Sequence, residues 1–228
     1  MRVQSLFCFL TFTASTPMFC ALTPMETVLP NESSTIEHQT ETKPEPVALV
    51  QPKTVNASKT ALEILHAAEE YKGENYVFGG RLGKRGCRRN GKPIQCRPGI
   101  DCQSLLFFAH EKVLGTRWWD FSVMPTVTVK NAELGKPVLG LDGVLRQDLD
   151  PTLLAPGDVL FFLFEDYNLD VDGPLLVDGE QKYGTWHTGF FYGFHDGEYQ
   201  VLHAAPGATV QVQSMDSIAF DALFAVRM

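Results

Sequence analysis

Apolar residues recur at helical spacing between residues 60 and 114 and at strand spacing between 156 and 227, whereas residues 22–57 follow neither period. The first periodic segment opens on Thr60-Ala-Leu-Glu63, a capping box in which a hydroxyl and a carboxylate each satisfy a free backbone N–H. Leu62, Leu65 and Ala68 follow at helical spacing, and Gly73 can end the helix. A second helix is predicted over Cys102–Leu114. Asp101 is a good N-cap, Leu105, Leu106, Ala109 and Val113 make an apolar face, and Gly115 closes it. Between the helices lie an extended aromatic piece, Asn75–Gly80, and a basic loop, Arg81–Arg97. Residues 116–155, broken by Gly and Pro, read as an irregular insertion.

The later pattern is that of strands. Val159–Phe164 is a near-continuous apolar run, as in a strand buried on both faces. Thr188–Phe194 and Tyr199–His203 flank His195-Asp-Gly-Glu198, a hairpin signal. Ala208–Gln213 and Leu223–Arg227 complete a small antiparallel sheet. Helices followed by a run of strands predict an α+β fold.

Composition narrows the function classes. A net charge of -8 argues against a general nucleic-acid binder, and no apolar run of transmembrane length follows the N-terminus. Arg2, the apolar run Leu6–Thr13 and small residues up to Ala21 read as an export signal over residues 1–21. Cys20 raises lipoprotein anchoring, but Pro17, Met18 and Phe19 precede it where lipidation wants a small residue, so plain cleavage is favoured. Residues 22–57, rich in Thr, Glu, Pro and Ser, read as a disordered linker, with the domain over 58–228. Cys87 and Cys96 span a turn-rich loop that a disulfide can close in an oxidising compartment. A metal site made from Cys87, Cys96 and Cys102 is the competing reading, although no CxxC or paired-His spacing supports it. Asn168-Leu-Asp-Val-Asp-Gly173 resembles the start of a calcium loop, but Asn stands first and Glu180 falls one residue late, which favours an acidic surface turn.

Cys102 is the candidate nucleophile. As the first residue of a helix it faces unsatisfied N–H groups and the positive end of the dipole, which favour a thiolate and can hold an oxyanion. Of six histidines, His187 and His203 lie in apolar strand contexts on neighbouring strands, where a base and its orienting partner can be built.

The pieces Tyr76-Val-Phe-Gly-Gly80, Asp101-Cys102, Leu154-Ala-Pro-Gly-Asp158-Val-Leu-Phe-Phe162, His187-Thr-Gly-Phe-Phe-Tyr-Gly193 and Leu202-His-Ala204 resemble, in order, the NlpC family of papain-like cell-wall peptidases. The resemblance implies a papain-like core and hydrolysis of amide bonds in peptidoglycan stem peptides, typically between D-glutamate and a diamino acid. By position it makes Cys102 the nucleophile, His187 the base and His203 the residue that orients the imidazole. It places Tyr76 and Asp101 in the pocket for the stem peptide's N-terminal end. No cofactor or metal is implied, and the partner is the stem peptide. Gln103-Ser104 stands where the family has Ser-Gly, so Gln103 bears on substrate choice. Insertions near 116–155 and 165–185 can narrow the cleft or cover it. An amidase or acyltransferase on the same scaffold, and a non-catalytic wall-binding module, are the alternatives. Within Arg81–Arg97, seven cations stand ready to attract anionic wall groups or to be solvated.

The hairpin sets a geometric condition. A plain two-residue Asp196-Gly197 turn places Phe190 opposite His203, which sends His187 and His203 to opposite faces. If His203 orients His187, a bulge or odd-length loop between 190 and 203 must shift the register by one, pairing Phe191 with His203.

Overall fold

In the computed structural model, which describes residues 55–89 and 92–228, the first helix, α1 (Lys59–Glu69), begins earlier than its capping box suggests. Ser58 is the N-cap and its hydroxyl accepts from the Ala61 amide at 3.0 Å. Starting there buries Ala61, Ile64, Leu65, Ala67 and Ala68 on one face, while Glu63 is left to pair with Lys59 outside. The second helix, α2 (Cys102–Leu114), has the expected limits: the Asp101 carboxylate accepts from the Ser104 amide, and Gly115 closes the helix at φ 76°.

The disulfide Cys87–Cys96 joins a short hairpin of β1 (Arg85–Arg89) and β2 (Lys92–Gln95), with the two Cα atoms 5.2 Å apart. The basic segment is therefore strand and turn. Arg81 is buried rather than solvated, and Lys84 pairs with Glu111.

Residues 116–155 are more regular than their Gly and Pro content suggests. They hold α3 (Pro125–Lys130) and β3 (Lys136–Leu145), an edge strand of the main sheet. Its register against β9 (Ala222–Arg227) slips twice, around Asp142, so Gly140 and Gly143 sit where an edge tolerates irregularity. The remaining strands are β4 (Val159–Glu165), β5 (Leu176–Asp178), β6 (Gln181–His195), β7 (Glu198–Ala204) and β8 (Val210–Ser214). The sheet runs β3-β9-β4-β6-β7-β8, with β5 paired to β6, and every pairing is antiparallel.

β4 explains its own sequence. Val159, Phe161 and Leu163 face a core shared with α1 and α2, whereas Leu160 and Phe162 face a second core with Val201, Ile218 and Phe220. Fully buried Asp158 precedes it, gripped by two hydrogen bonds from Arg227 at 2.7 and 2.6 Å. The helix carrying the cysteine, α2, packs on β6 and β7, which carry the histidines, in the α+β papain-like arrangement.

The export segment, Cys20 and nearly all of the linker lie outside the described residues. Among the described residues, no helix is long and apolar enough to cross a membrane.

His110, inside α2, is fully buried between Phe121 and Phe190, with Nδ1 donating to the Leu106 carbonyl at 2.7 Å. Burial pulls its pKa down to about 4. The unfolded chain takes up this proton near the ordinary histidine pKa of about 6.5, well before the folded protein does. Stability therefore falls as pH drops from about 6.5 to about 4, by up to about 1.4 kcal/mol per pH unit for this residue. Urea unfolding across that window is expected to show a shallower slope in His110→Leu; an unchanged slope contradicts the assignment.

Candidate active site

The site lies where β6 has an open edge. On one side β6 pairs with β4 from Tyr183 to Phe190. On the other, β5 pairs with Gln181–Tyr183 and β7 takes over only at Phe190. The gap leaves Thr185, Trp186, His187 and Thr188 lining a cavity of about 270 Å³, with Cys102 at its wall. At Gly184 the Tyr167 chain passes over β6 so closely that a Cβ would lie 1.9 Å from the Tyr167 carbonyl oxygen.

His187 and His203 meet through two departures from regular pairing. The hairpin starts as a plain two-residue turn, with His195 opposite Glu198, Phe194 opposite Tyr199 and Gly193 opposite Gln200. At Tyr192 the register shifts, and Phe191 then faces Val201 and Phe190 faces Leu202. The required shift is present, but in the opposite sense from Phe191 facing His203: the extra residue is on β6. That register sets Gly189 across from His203, where an added Cβ would lie 3.0 Å from the His203 Cβ. Both histidines then share a face, and His187 Nε2 lies 2.7 Å from His203 Nδ1. A second shift, at Trp186, follows the pairing of Phe162 with His187.

His203 Nε2 in turn meets the Gln213 side-chain oxygen at 3.1 Å. Both histidines are buried, and burial lowers both pKa values, that of His187 to about 3 with His203 adding to the shift. With Nε2 committed to His203, Nδ1 is the ring nitrogen of His187 left to act as a base.

Cys102 departs from the sequence argument. Its thiol is pushed up to about 11, by burial first and the Asp101 charge second. Polar groups of Thr188 and the Gln103 backbone near the sulfur pull it down only in part. Desolvation outweighs the helix end here. With the thiol raised and the imidazole lowered, both groups are neutral at about pH 7.

Asp101 lines the cavity, and both its oxygens are engaged by neighbouring donors. Oδ1 accepts from the Ser104 amide and hydroxyl at 2.7 and 2.6 Å; Oδ2 accepts from the Gly79 amide at 3.1 Å and from Arg81 at 2.5 Å. Arg81 also donates to the Ser104 hydroxyl and, at 2.8 Å, to the Gly80 carbonyl. This buried pair joins the glycine turn to the head of α2 and neutralises the carboxylate. Tyr76 is near Cys102 and Asp101 but not among the residues lining the cavity, and its hydroxyl is pushed up to about 12, chiefly by burial. Gln103 does line the cavity, and its amide donates to the Val123 carbonyl at 2.9 Å.

Both segments read as insertions supply wall. Val123, Met124 and Pro125 come from the first, and Tyr167, Asn168, Val171 and Asp172 from the second. Asp172 Oδ1 accepts from the Thr126 amide and hydroxyl at 3.2 and 2.7 Å, so the calcium-like segment is a turn tied to α3. No group of three or more His, Cys, Asp or Glu able to hold a metal occurs among the described residues. Sequence reasoning missed Gln213, Thr188, Trp186 and the exposed Phe78 at the mouth. Gln211 and Gln213, alternating with valines, do signal a polar face on β8, but which histidine they meet depends on its pairing with β7.

No family model and no curated protein matches this chain. Among solved structures, an N-acetylmuramoyl-L-alanine amidase from Bacteroides uniformis aligns with a TM-score of 0.51 and 11% identity, over 75% of this chain and 99% of that one. The NlpC/p60 domain of the peptidoglycan hydrolase SagA aligns at 0.39 and 23% identity, over 74% and 98%. RipD from Mycobacterium tuberculosis, a non-catalytic NlpC/p60 domain protein adapted to peptidoglycan binding, aligns at 0.40 and 18%, over 75% and 98%. The first likeness establishes a shared fold.

A neutral pair has a kinetic signature. With the thiol near 11, iodoacetamide labelling of Cys102 without substrate is expected to rise about tenfold per pH unit from about pH 7 to about pH 10. A plateau already reached below pH 6 would mean a resting ion pair and overturn this reading.

Proposed function

We propose that the protein is an exported cysteine endopeptidase that hydrolyses amide bonds in peptidoglycan stem peptides, between D-glutamate and a diamino acid. The observation that carries this reading is that His187, hydrogen-bonded through Nε2 to the buried His203, lines one cavity together with Cys102, which leaves His187 Nδ1 to take a proton. The family resemblance of the ordered motifs supplies the substrate class.

The chemistry follows from the groups present. His187 Nδ1 removes the Cys102 proton as the sulfur attacks the amide carbonyl, so charge separates only in the transition state. The Cys102 and Gln103 N–H groups at the head of α2, which have no acceptor within the helix, can receive the oxyanion. The imidazolium then protonates the leaving amine, and water, deprotonated by the same Nδ1, cleaves the thioester. Thiolate, imidazole and backbone amides suffice without a cofactor. The disulfide Cys87–Cys96 accords with an oxidising compartment.

An amidase that splits the bond between glycan and stem is the second reading, favoured by the fold shared with the Bacteroides uniformis enzyme. Digestion of purified peptidoglycan with identification of fragments by mass spectrometry separates the two. A new D-glutamate C-terminus is expected; glycan stripped of whole stems would replace the proposal with the amidase, and no release would favour a binding module. Cys102→Ala is expected to lower turnover by about a thousandfold or more with an unchanged circular dichroism spectrum. Retained turnover in that variant would sink the nucleophile assignment.

A further inference from the structure

His203 can orient His187 productively in only one of its two neutral tautomers, and the protein carries a group that selects it. The selection begins at the Ser214 carbonyl, which can only accept. Ser217 donates its hydroxyl proton there at 2.5 Å, so towards Gln213 the same oxygen must accept. The Gln213 side-chain nitrogen supplies that bond at 2.6 Å, which turns the amide oxygen towards His203. Gln211 reinforces the orientation, its side-chain nitrogen donating to the same oxygen at 3.2 Å. An amide oxygen 3.1 Å from His203 Nε2 requires the proton there, leaving His203 Nδ1 bare. A bare Nδ1 2.7 Å from His187 requires the proton on His187 Nε2, which leaves His187 Nδ1 bare as well.

We infer that Gln213, held by Ser217 and Gln211, is a positioning residue that sets the tautomers of both histidines and so keeps His187 Nδ1 open to the thiol proton. This rests on the proposed Cys102–His187 chemistry. The opposite setting is unproductive. A proton on His203 Nδ1 makes His187 Nε2 an acceptor, puts the neutral ring's only proton on Nδ1, and closes the nitrogen the thiol needs. Neutral rings are what the site holds, because burial lowers both histidines' pKa values and a neutral imidazole must choose one nitrogen. The placement is structural as well. In the β7–β8 register Gln211 is directly opposite His203 and Gln213 opposite Val201, so Gln213 reaches His203 diagonally across the same face.

Two substitutions separate hydrogen-bond direction from mere packing. Gln213→Leu removes the acceptor, and turnover on peptidoglycan is expected to fall about tenfold or more with KM changed by less than about twofold. Gln213→Glu keeps an acceptor and is expected to recover to within about threefold of the native rate. Equal losses in both variants, or no loss in Gln213→Leu, would overturn the inference. Ser217→Ala, at an exposed position, frees the Gln213 amide to turn over and gives a smaller loss, which covers the case of a misfolded Gln213→Leu. The tautomers themselves are read without substrate, from long-range proton–nitrogen correlations of nitrogen-15-labelled histidine in the whole protein. Native His203 and His187 are both expected to carry the proton on Nε2, with mixed signals for His203 in Gln213→Leu. A native His203 protonated on Nδ1 disposes of the inference whatever the activity. If the tautomers are as stated but Cys102→Ala still cleaves, the proposed enzyme chemistry has failed while the tautomer assignment stands.

Discussion

The hydrogen bond between His187 and His203 exists because the ladder between β6 and β7 carries one more residue on β6 than on β7. Side chains alternate along a strand, so a single extra residue reverses the face of everything beyond it. Without the offset at Tyr192, His187 would point away from His203 and Gln213 would have no histidine chain to act on. Tyr192, the residue at the shift, is pinned at a distance. Its hydroxyl donates to Glu69 at the end of α1 at 2.7 Å, and Lys72 lies over its ring. Glu69 is an effective anchor, its carboxyl held down to about 2, chiefly by its hydrogen bond from Lys72. The end of the first helix thus helps to hold the register on which the imidazole pair depends.

The same strand opens the cavity. Because β5 leaves β6 at Tyr183 and β7 joins it at Phe190, the intervening residues have a free edge where residues from both faces line the cavity. Thr188, which lies against the sulfur, and His187, which meets His203, are neighbours in sequence and would be separated by an intact sheet. α3 and the turn at Asp172 close the far side through Thr126. These two segments do not hang over the site as separate flaps; joined to each other, they form one of its walls.

Electrostatics at the head of α2 run against the simple helix-end argument. The dipole and the Gln103 amide favour a thiolate, but burial and the neighbouring Asp101 carboxylate disfavour it more. Arg81 compensates Asp101 by direct contact, and together they fasten the Tyr76–Gly80 turn to the helix that carries Cys102. Asp101 thus lines the cavity while both its oxygens hold the head of α2 to the glycine turn.

Local chemistry was legible in the amino-acid sequence. Asp101 and Gly115 bound α2 because a side-chain acceptor and a left-handed glycine satisfy helix ends wherever the helix packs. The apolar run of β4, the turn at Asp196-Gly197 and the prominence of Cys102, His187 and His203 are likewise properties of a few neighbouring residues. The start of α1 was not, because Ser58 and Thr60 are both sound caps and local spacing does not choose between them. β3 was hidden because an edge strand tolerates glycines and slips that a sequence pattern reads as loop. Tertiary structure alone decided the direction of the register shift, the open edge of β6, the burial of Arg81 against Asp101 and the reach of Gln213 to His203. Each of these depends on which strand lies beside which, and pairing across the sheet is a choice among distant segments that no local spacing encodes.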